Sequence, residues 1–326
     1  MKFKNLSAPH LRTKDTTRQV MIDVLISLTP AIAVSTWVFG LRALYIMMFS
    51  MISAEVLDFF IVRVLKKQKN YKPDFSASVT GLLFGMNMSM AVHWWHMLIG
   101  IAFAIIVAKH AFGGLGQNIF NPAEIGRVFM LISFPTVMTT WYKPFANMSA
   151  SVDTITTATP LALLKEYGAN KSLSNFSYMD MFLGKIPGSI GEVSALALLI
   201  GFAYLVYKKR IKLMIPISIF STVLIISSIF YFVNPTRFGT PLFHLLAGGM
   251  IIGALFMATD MVTSPMTIKG QIVFGIGIGV IALTIRYFGA YPEGVSFSIV
   301  IMNALVPLID LWMKPRVFGT SKKGAK

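Results

Sequence analysis

Cysteine is absent from the 326 residues. That excludes disulfides, iron–sulfur clusters held by thiolates and Cys-type zinc sites within this chain. Charge is scarce as well: 13% of residues are Asp, Glu, Lys or Arg, against about 25% in soluble domains. Histidine occurs at five scattered positions, too few for a dedicated metal site. No Walker-type phosphate loop, dinucleotide-binding glycine fingerprint or Ser-His-Asp order is present. The sequence therefore nominates no catalytic residue, no metal ligand and no ATP or NAD site of its own. What it has in abundance is apolar side chain, with 55% hydrophobic residues and a mean hydropathy of +0.70. A soluble globule could not cover so much apolar surface with so little charge. This is the composition of a polytopic membrane protein.

A helix needs roughly 20 apolar residues to cross the hydrocarbon core. Ten stretches qualify, near 20–40, 43–64, 75–92, 94–111, 122–140, 192–207, 213–232, 241–259, 272–288 and 294–313. The first follows a basic tail without a small-residue cleavage site, so it reads as a retained span. Lys and Arg set the orientation. With the N-terminus inside, Arg42, Lys143, Lys165, Lys171, Lys185, Arg237 and Arg286 fall outside, and the other 22 of the 29 basic residues fall inside. The expectation is a cell-membrane protein with both termini cytoplasmic. The net charge of +16 is then a cytoplasmic collar, and nothing resembles a nucleic-acid recognition helix.

The chain divides into a cytoplasmic tail (1–19), five spans (20–140), an outer loop domain (141–191), five more spans (192–313) and a second cytoplasmic tail (314–326). The loop is rich in Ser, Thr, Asn and Gly, with enough Leu, Phe and Met for a small ordered cap. The third and eighth spans share Gly81/Gly253, Leu83/Leu255 and Phe84/Phe256 in matching register. Spans five apart run in opposite directions, as an inverted repeat requires. The expected fold is all-α integral membrane: about ten transmembrane helices as a 5+5 inverted repeat, with a small extracytoplasmic domain.

Several segments are candidates for chemistry. In the outer loop, Thr159 is a good N-cap, Pro160 suits a first helical position and Gly168 a helix end. A helix start offers free N–H groups to a phosphate; the plainer reading is a capped surface helix. The run Gly113, Gly114 and Gly116, then Asn118, Asn121 and Pro122, is either an interhelix turn or a holder for a polar ligand edge. Glu55 and Asp58 share one face of the second span, with Asp23, Glu124, Asp260 and Asp310 toward the cytoplasmic half. Acids within a membrane mark ion paths or paired sites, so Glu55 and Asp58 are ion-path candidates, with pairing to Arg63, Arg127 or a neighbouring subunit as the alternative. His93-Trp94-Trp95-His96 fits an interfacial aromatic belt better than a haem or metal site.

The string Asp153-Thr154-Ile155-Thr156-Thr157-Ala158-Thr159 resembles a flavinylation motif, Asp-x-x-(Ser/Thr)-Gly-Ala-Thr. Asp153 matches the acid, Thr156 the Ser/Thr, Ala158 the alanine and Thr159 the acceptor; Thr157 stands where glycine is common. Gly116-Gln-Asn-Ile-Phe-Asn-Pro-Ala-Glu-Ile-Gly-Arg127, Phe256-Met-Ala-Thr-Asp-Met-Val-Thr-Ser-Pro265 and the ten-span layout with its loop all fit the same family. From about residue 15 to 313 the chain is similar to D subunits of the Rnf ion-translocating ferredoxin:NAD+ oxidoreductases. The homologous B subunits of sodium-translocating NADH:quinone reductases usually carry a longer N-terminal extension.

The resemblance implies FMN joined to Thr159 through a phosphodiester by a flavin transferase, and a non-covalent riboflavin in the bundle, for which Asn118 and Asn121 are candidates. It implies electron relay coupled to Na+ or H+ translocation. Partner subunits would supply the iron–sulfur clusters, further flavins and the NAD site, with membrane lipid around the whole. The family fold is similar to urea channels, so a small-solute channel or secondary transporter without a redox role is the alternative.

Overall fold

The computed structural model describes residues 15–68, 71–145, 156–169, 176–192 and 194–314. Asp153 lies outside them. The chain opens with α1 (Thr17–Phe39) and α2 (Leu41–Phe60), the latter running on through a π-helical turn, Ile61–Leu65. Thr16 caps α1: its hydroxyl accepts the Gln19 N–H at 3.3 Å, one of the orphan donors of a helix start. The first half continues with α3 (Ser76–Met86), α4 (Trp94–Ala102, extended as a π-helix over Phe103–His110), α5 (Pro122–Ser133) and the short α6 (Pro135–Met138). The loop contributes α7 (Pro160–Tyr167) and α8 (Tyr178–Leu183). The second half holds α9 (Ala195–Tyr207), α10 (Met214–Val233), α11 (Pro235–Phe238), α12 (Pro241–Leu246), α13 (Met250–Ile252, then a π-turn Gly253–Met257), α14 (Ile268–Phe288) and α15 (Val295–Trp312).

By length and composition, α1, α2 with its π-turn, α10, α14 and α15 are membrane-spanning. The stretch from α11 to the π-turn after α13 forms a sixth if its two halves, bent by 48°, count as one span. Shorter apolar helices at 76–86, 94–110 and 195–207 occupy the expected third, fourth and sixth spans. The differences from ten full spans have local causes. Pro135 ends α5 early, and Asn121-Pro122 starts it inside the bundle rather than at its surface. There the Asn121 side-chain amide donates to the Met257 carbonyl at 3.0 Å, and the Asn121 N–H donates to Asn303 Oδ1 at 3.3 Å. Broken helices of this kind are tolerated in a membrane only where buried side chains satisfy the freed backbone groups.

The halves join where α1 packs on α9 and α5 on α15. Gly81 and Gly253 are both points of close approach, but Gly81 faces Ser50 and Ala54 of α2 whereas Gly253 faces Val295 of α15. The two matched glycines therefore serve different helix pairs. One end of the bundle carries the start of α1, the 208–213 turn and the end of α15, and is basic. At the opposite end the loop packs over α12: Leu161, Leu164, Met181 and Ile186 form a small separate core with Phe243 and Ala247. Beneath it the buried Arg286 donates to the His244 and Ala247 carbonyls, at 2.6 and 2.9 Å, closing the open end of α12.

Candidate functional site

Thr159 is the N-cap of α7 and half-buried, its backbone extended and its hydroxyl accepting the Ala162 N–H at 3.2 Å. The residues before it are held in place rather than free. Thr156 forms an antiparallel bridge with Tyr142, and the Thr157 N–H donates to the Trp141 carbonyl at 3.0 Å. Thr156 and Ala158 are exposed. Thr157, standing where the motif usually has glycine, is not among the residues with positive φ, so its β-carbon costs no backbone strain here. Its hydroxyl is buried without a partner. Lys165, at the other end of α7, ties the helix to the turn after α14 by donating to the Gly289 and Tyr291 carbonyls.

Thr159 opens on a small cleft shared with Trp141, Pro187, Glu192, Pro292 and Glu293. Its floor is an ion cluster. Arg127, projecting from α5, meets Glu192 at 2.8 Å and Glu293 at 2.6 Å, and donates to Ser296 Oγ at 2.8 Å. Glu293 also accepts the Gly249 N–H. Burial, reinforced by the Glu293 charge, pushes the Glu192 carboxyl up to about 7. Burial works the same way on Glu293, but the Arg127 and Arg286 guanidiniums outweigh it and hold that carboxyl below its usual value. The sequence places Arg127 with the cytoplasmic basic residues. Its side chain instead points to the loop end, because α5 begins deep in the bundle.

Asn118 and Asn121, both buried, line a second cavity on the side of the basic end. Val20, Met21, Leu83 and Phe256 give it apolar walls, with Thr259 and Asp260 among its polar groups. That mixture of apolar wall and polar group is of the kind that holds a flat heteroaromatic ligand. Asn121 spends its side chain on Met257 and the Ala123 N–H. Asn118 donates to the Phe120 carbonyl, while its own Oδ1 is buried without a partner and so has an unused acceptor. Asp260, half-buried and bonded by the Thr263 hydroxyl at 2.9 Å, has its carboxyl pushed up by desolvation.

Glu55 and Asp58, the acidic pair of α2, are both engaged within the bundle. Glu55 accepts the Ser78 N–H at 3.0 Å and the Ser78 hydroxyl at 2.8 Å, at the first turn of α3. Asp58 is paired with Lys109 at 2.7 Å and His110 at 2.8 Å through one oxygen, and accepts the Tyr71 hydroxyl at 2.7 Å through the other. Elsewhere, Trp95 stacks on His96 at 3.6 Å, and Trp94 and Trp95 are exposed, an arrangement for an interface. Among the described residues no three His, Asp or Glu gather as metal ligands. The Glu192–Arg127–Glu293 cluster is what sequence reasoning missed. Its members lie 65 and 166 positions from Arg127, and both acids sit in short turns with no motif around them.

Known proteins resemble this chain over nearly its whole length. The family model described as "NQR2, RnfD, RnfE family" matches residues 4–319. The chain is 46% identical to a Clostridium ljungdahlii protein named as the D subunit of a proton-translocating ferredoxin:NAD(+) oxidoreductase complex, over 98% of this chain and 97% of that one. It is 44% identical to an Acetobacterium woodii protein named as the D subunit of a Na(+)-translocating ferredoxin:NAD(+) oxidoreductase complex, over 97% and 95%. It is 35% identical to a Salmonella paratyphi B protein named as the D subunit of an ion-translocating oxidoreductase complex, over 99% of this chain and all of that one. The chain is an all-α membrane protein and belongs to the NQR2, RnfD, RnfE family.

Proposed function

We propose that this chain is the membrane flavoprotein subunit of a redox-driven ion pump, relaying electrons between partner subunits during ferredoxin:NAD+ oxidoreduction coupled to Na+ or H+ translocation. FMN would be held through a phosphodiester on Thr159, and a riboflavin, without a covalent bond, in the cavity at the basic end. A bound flavin supplies one- and two-electron chemistry that no side chain of this protein has. The chain's own residues bind and orient it. Thr159 offers the hydroxyl that becomes the ester, and the first N–H groups of α7 face the phosphate charge. The bridge of Thr156 to Tyr142 fixes the residues just before Thr159, and the apolar walls of the two clefts take the rings. The division of basic residues, 22 to 7 from the sequence and 21 to 8 with Arg127 moved to the loop end, supports a cytoplasmic basic end and an outer FMN. Partners with iron–sulfur clusters, other flavins and the NAD site complete the electron path, and a flavin transferase loads Thr159.

The observation that carries the reading is Thr159 itself, an N-cap hydroxyl at the mouth of a cleft, following residues that match the motif except at Thr157. The purified chain should be yellow, with part of its flavin fluorescence retained after denaturation. A colourless chain would contradict the reading and favour a channel.

A further inference from the structure

Beneath the ion cluster of the outer cleft lies one carboxyl that no role above uses. Glu124 lies one turn before Arg127 on α5, is wholly buried, and neither of its oxygens meets a hydrogen-bond donor within bonding geometry. Its polar surroundings are Arg127 on its own helix, Ser296 on α15 and Glu293 in the turn before α15. Arg286 of α14 adds its field through Glu293 and Glu192. His244 of α12, which abuts Arg286, turns its Nε2 to the Phe238 carbonyl at 2.6 Å and takes no carboxylate. An unpaired carboxylate in such surroundings is expensive. Counting charge shows how the expense is relieved. Arg127 and Arg286 bring two positive charges to the cluster, whereas Glu124, Glu192 and Glu293 would bring three negative ones. One proton makes it neutral. A metal cation is a poor substitute, because the two guanidiniums repel it and no ligand group is assembled among the described residues.

That proton has two homes at different depths. Glu192 lines the outer cleft beside Thr159. Glu124 sits just beyond Asn121 and Pro122, which line the basic-end cavity. Arg127 is common to both, ion-paired to the first and one helical turn from the second. We propose that Glu124 and Glu192 share a single proton that passes from one carboxyl to the other around Arg127, making the cluster a proton station between the two cavities. In the transfer an O–H bond on Glu124 breaks as one on Glu192 forms. The total charge is unchanged and no electron moves. As Glu192 is neutralised, its hold on Arg127 weakens and the new Glu124 carboxylate takes over the guanidinium's field. Negative charge arriving in the outer cleft would draw the proton to Glu192. That coupling rests on the flavin reading above, whereas the shared proton does not.

The test is infrared difference spectroscopy of the purified complex containing this chain, in light and heavy water, across a pH step. The wild type should show one carboxylic-acid C=O band from this cluster, shifted in heavy water. Glu124→Gln and Glu192→Gln should each abolish the whole band, because two acids beside two guanidiniums need no proton. Flavin content should be unchanged in Glu124→Gln. A band that survives either substitution, or that each substitution halves, overturns the proposal. Should Glu124→Gln fail to assemble, Glu192→Gln carries the same test. A wild type that has the band but no flavin would overturn the flavin reading and leave this one standing.

Discussion

The Lys109 ammonium reaches Asp58 Oδ1 at 2.7 Å, joining the π-helical end of α4 to α2, and both side chains are almost wholly buried. Removing one partner would leave a buried charge unpaired, which costs about 3–5 kcal/mol. Asp58→Ala should therefore lower thermal stability in detergent by that order. The double variant Asp58→Leu, Lys109→Met should recover much of the loss. If the double variant is less stable than the single one, the pair is not an internal lock. Asp58→Asn with normal stability and impaired ion transport would place Asp58 on an ion path instead.

Glu55 has a lesser structural duty. Its two bonds to Ser78 satisfy the start of α3, so Glu55→Ala should cost about 1–2 kcal/mol. Flavin content should not change. A fall in ion transport by Glu55→Gln, without loss of stability, would show that the carboxylate has a second task.

Glu192 should make stability depend on pH. Its carboxyl is pushed from the usual 4.5 up to about 7, so the folded protein keeps a proton that the unfolded chain releases. The contribution is complete below about 4.5 and is lost as pH rises through about 7. Unfolding measured across that window should show the wild type losing about 1–3 kcal/mol that Glu192→Gln does not lose. Parallel curves for the two proteins would contradict the assignment.

Much of this arrangement was legible in the sequence. Long apolar runs announced α1, α2, α10, α14 and α15 because nothing else needs 18 or more such residues in a row. The cap of α7 was legible because Thr159, Pro160 and Gly168 act through local backbone geometry. The broken helices were not. Whether Asn121-Pro122 opens a span at the membrane surface or within the bundle depends on Met257 and Asn303, which are distant in sequence. The same holds for Asp58, whose partners Lys109 and His110 come from the other end of a different helix. Ion pairs across more than fifty residues leave no periodic signal.

Sidedness follows from the basic residues and can be tested without disturbing the site. Glu166, exposed on α7, is replaced by cysteine in this cysteine-free chain. An impermeant thiol reagent should label Glu166→Cys in intact cells. Labelling only after lysis would place α7, and any flavin on Thr159, inside.

Thr159 can be tested directly by mass. Digestion of the purified chain and mass spectrometry of the peptide carrying Thr159 should show the FMN phosphodiester increment on that residue. The increment should vanish in Thr159→Ala and persist in Thr156→Ala and Thr157→Ala. Losing the N-cap bond to Ala162 costs only about 1 kcal/mol, so the variant should still fold with its membrane helices intact. An unmodified Thr159 peptide in the wild type, or an increment that survives Thr159→Ala and disappears with Thr156→Ala or Thr157→Ala, would contradict the account.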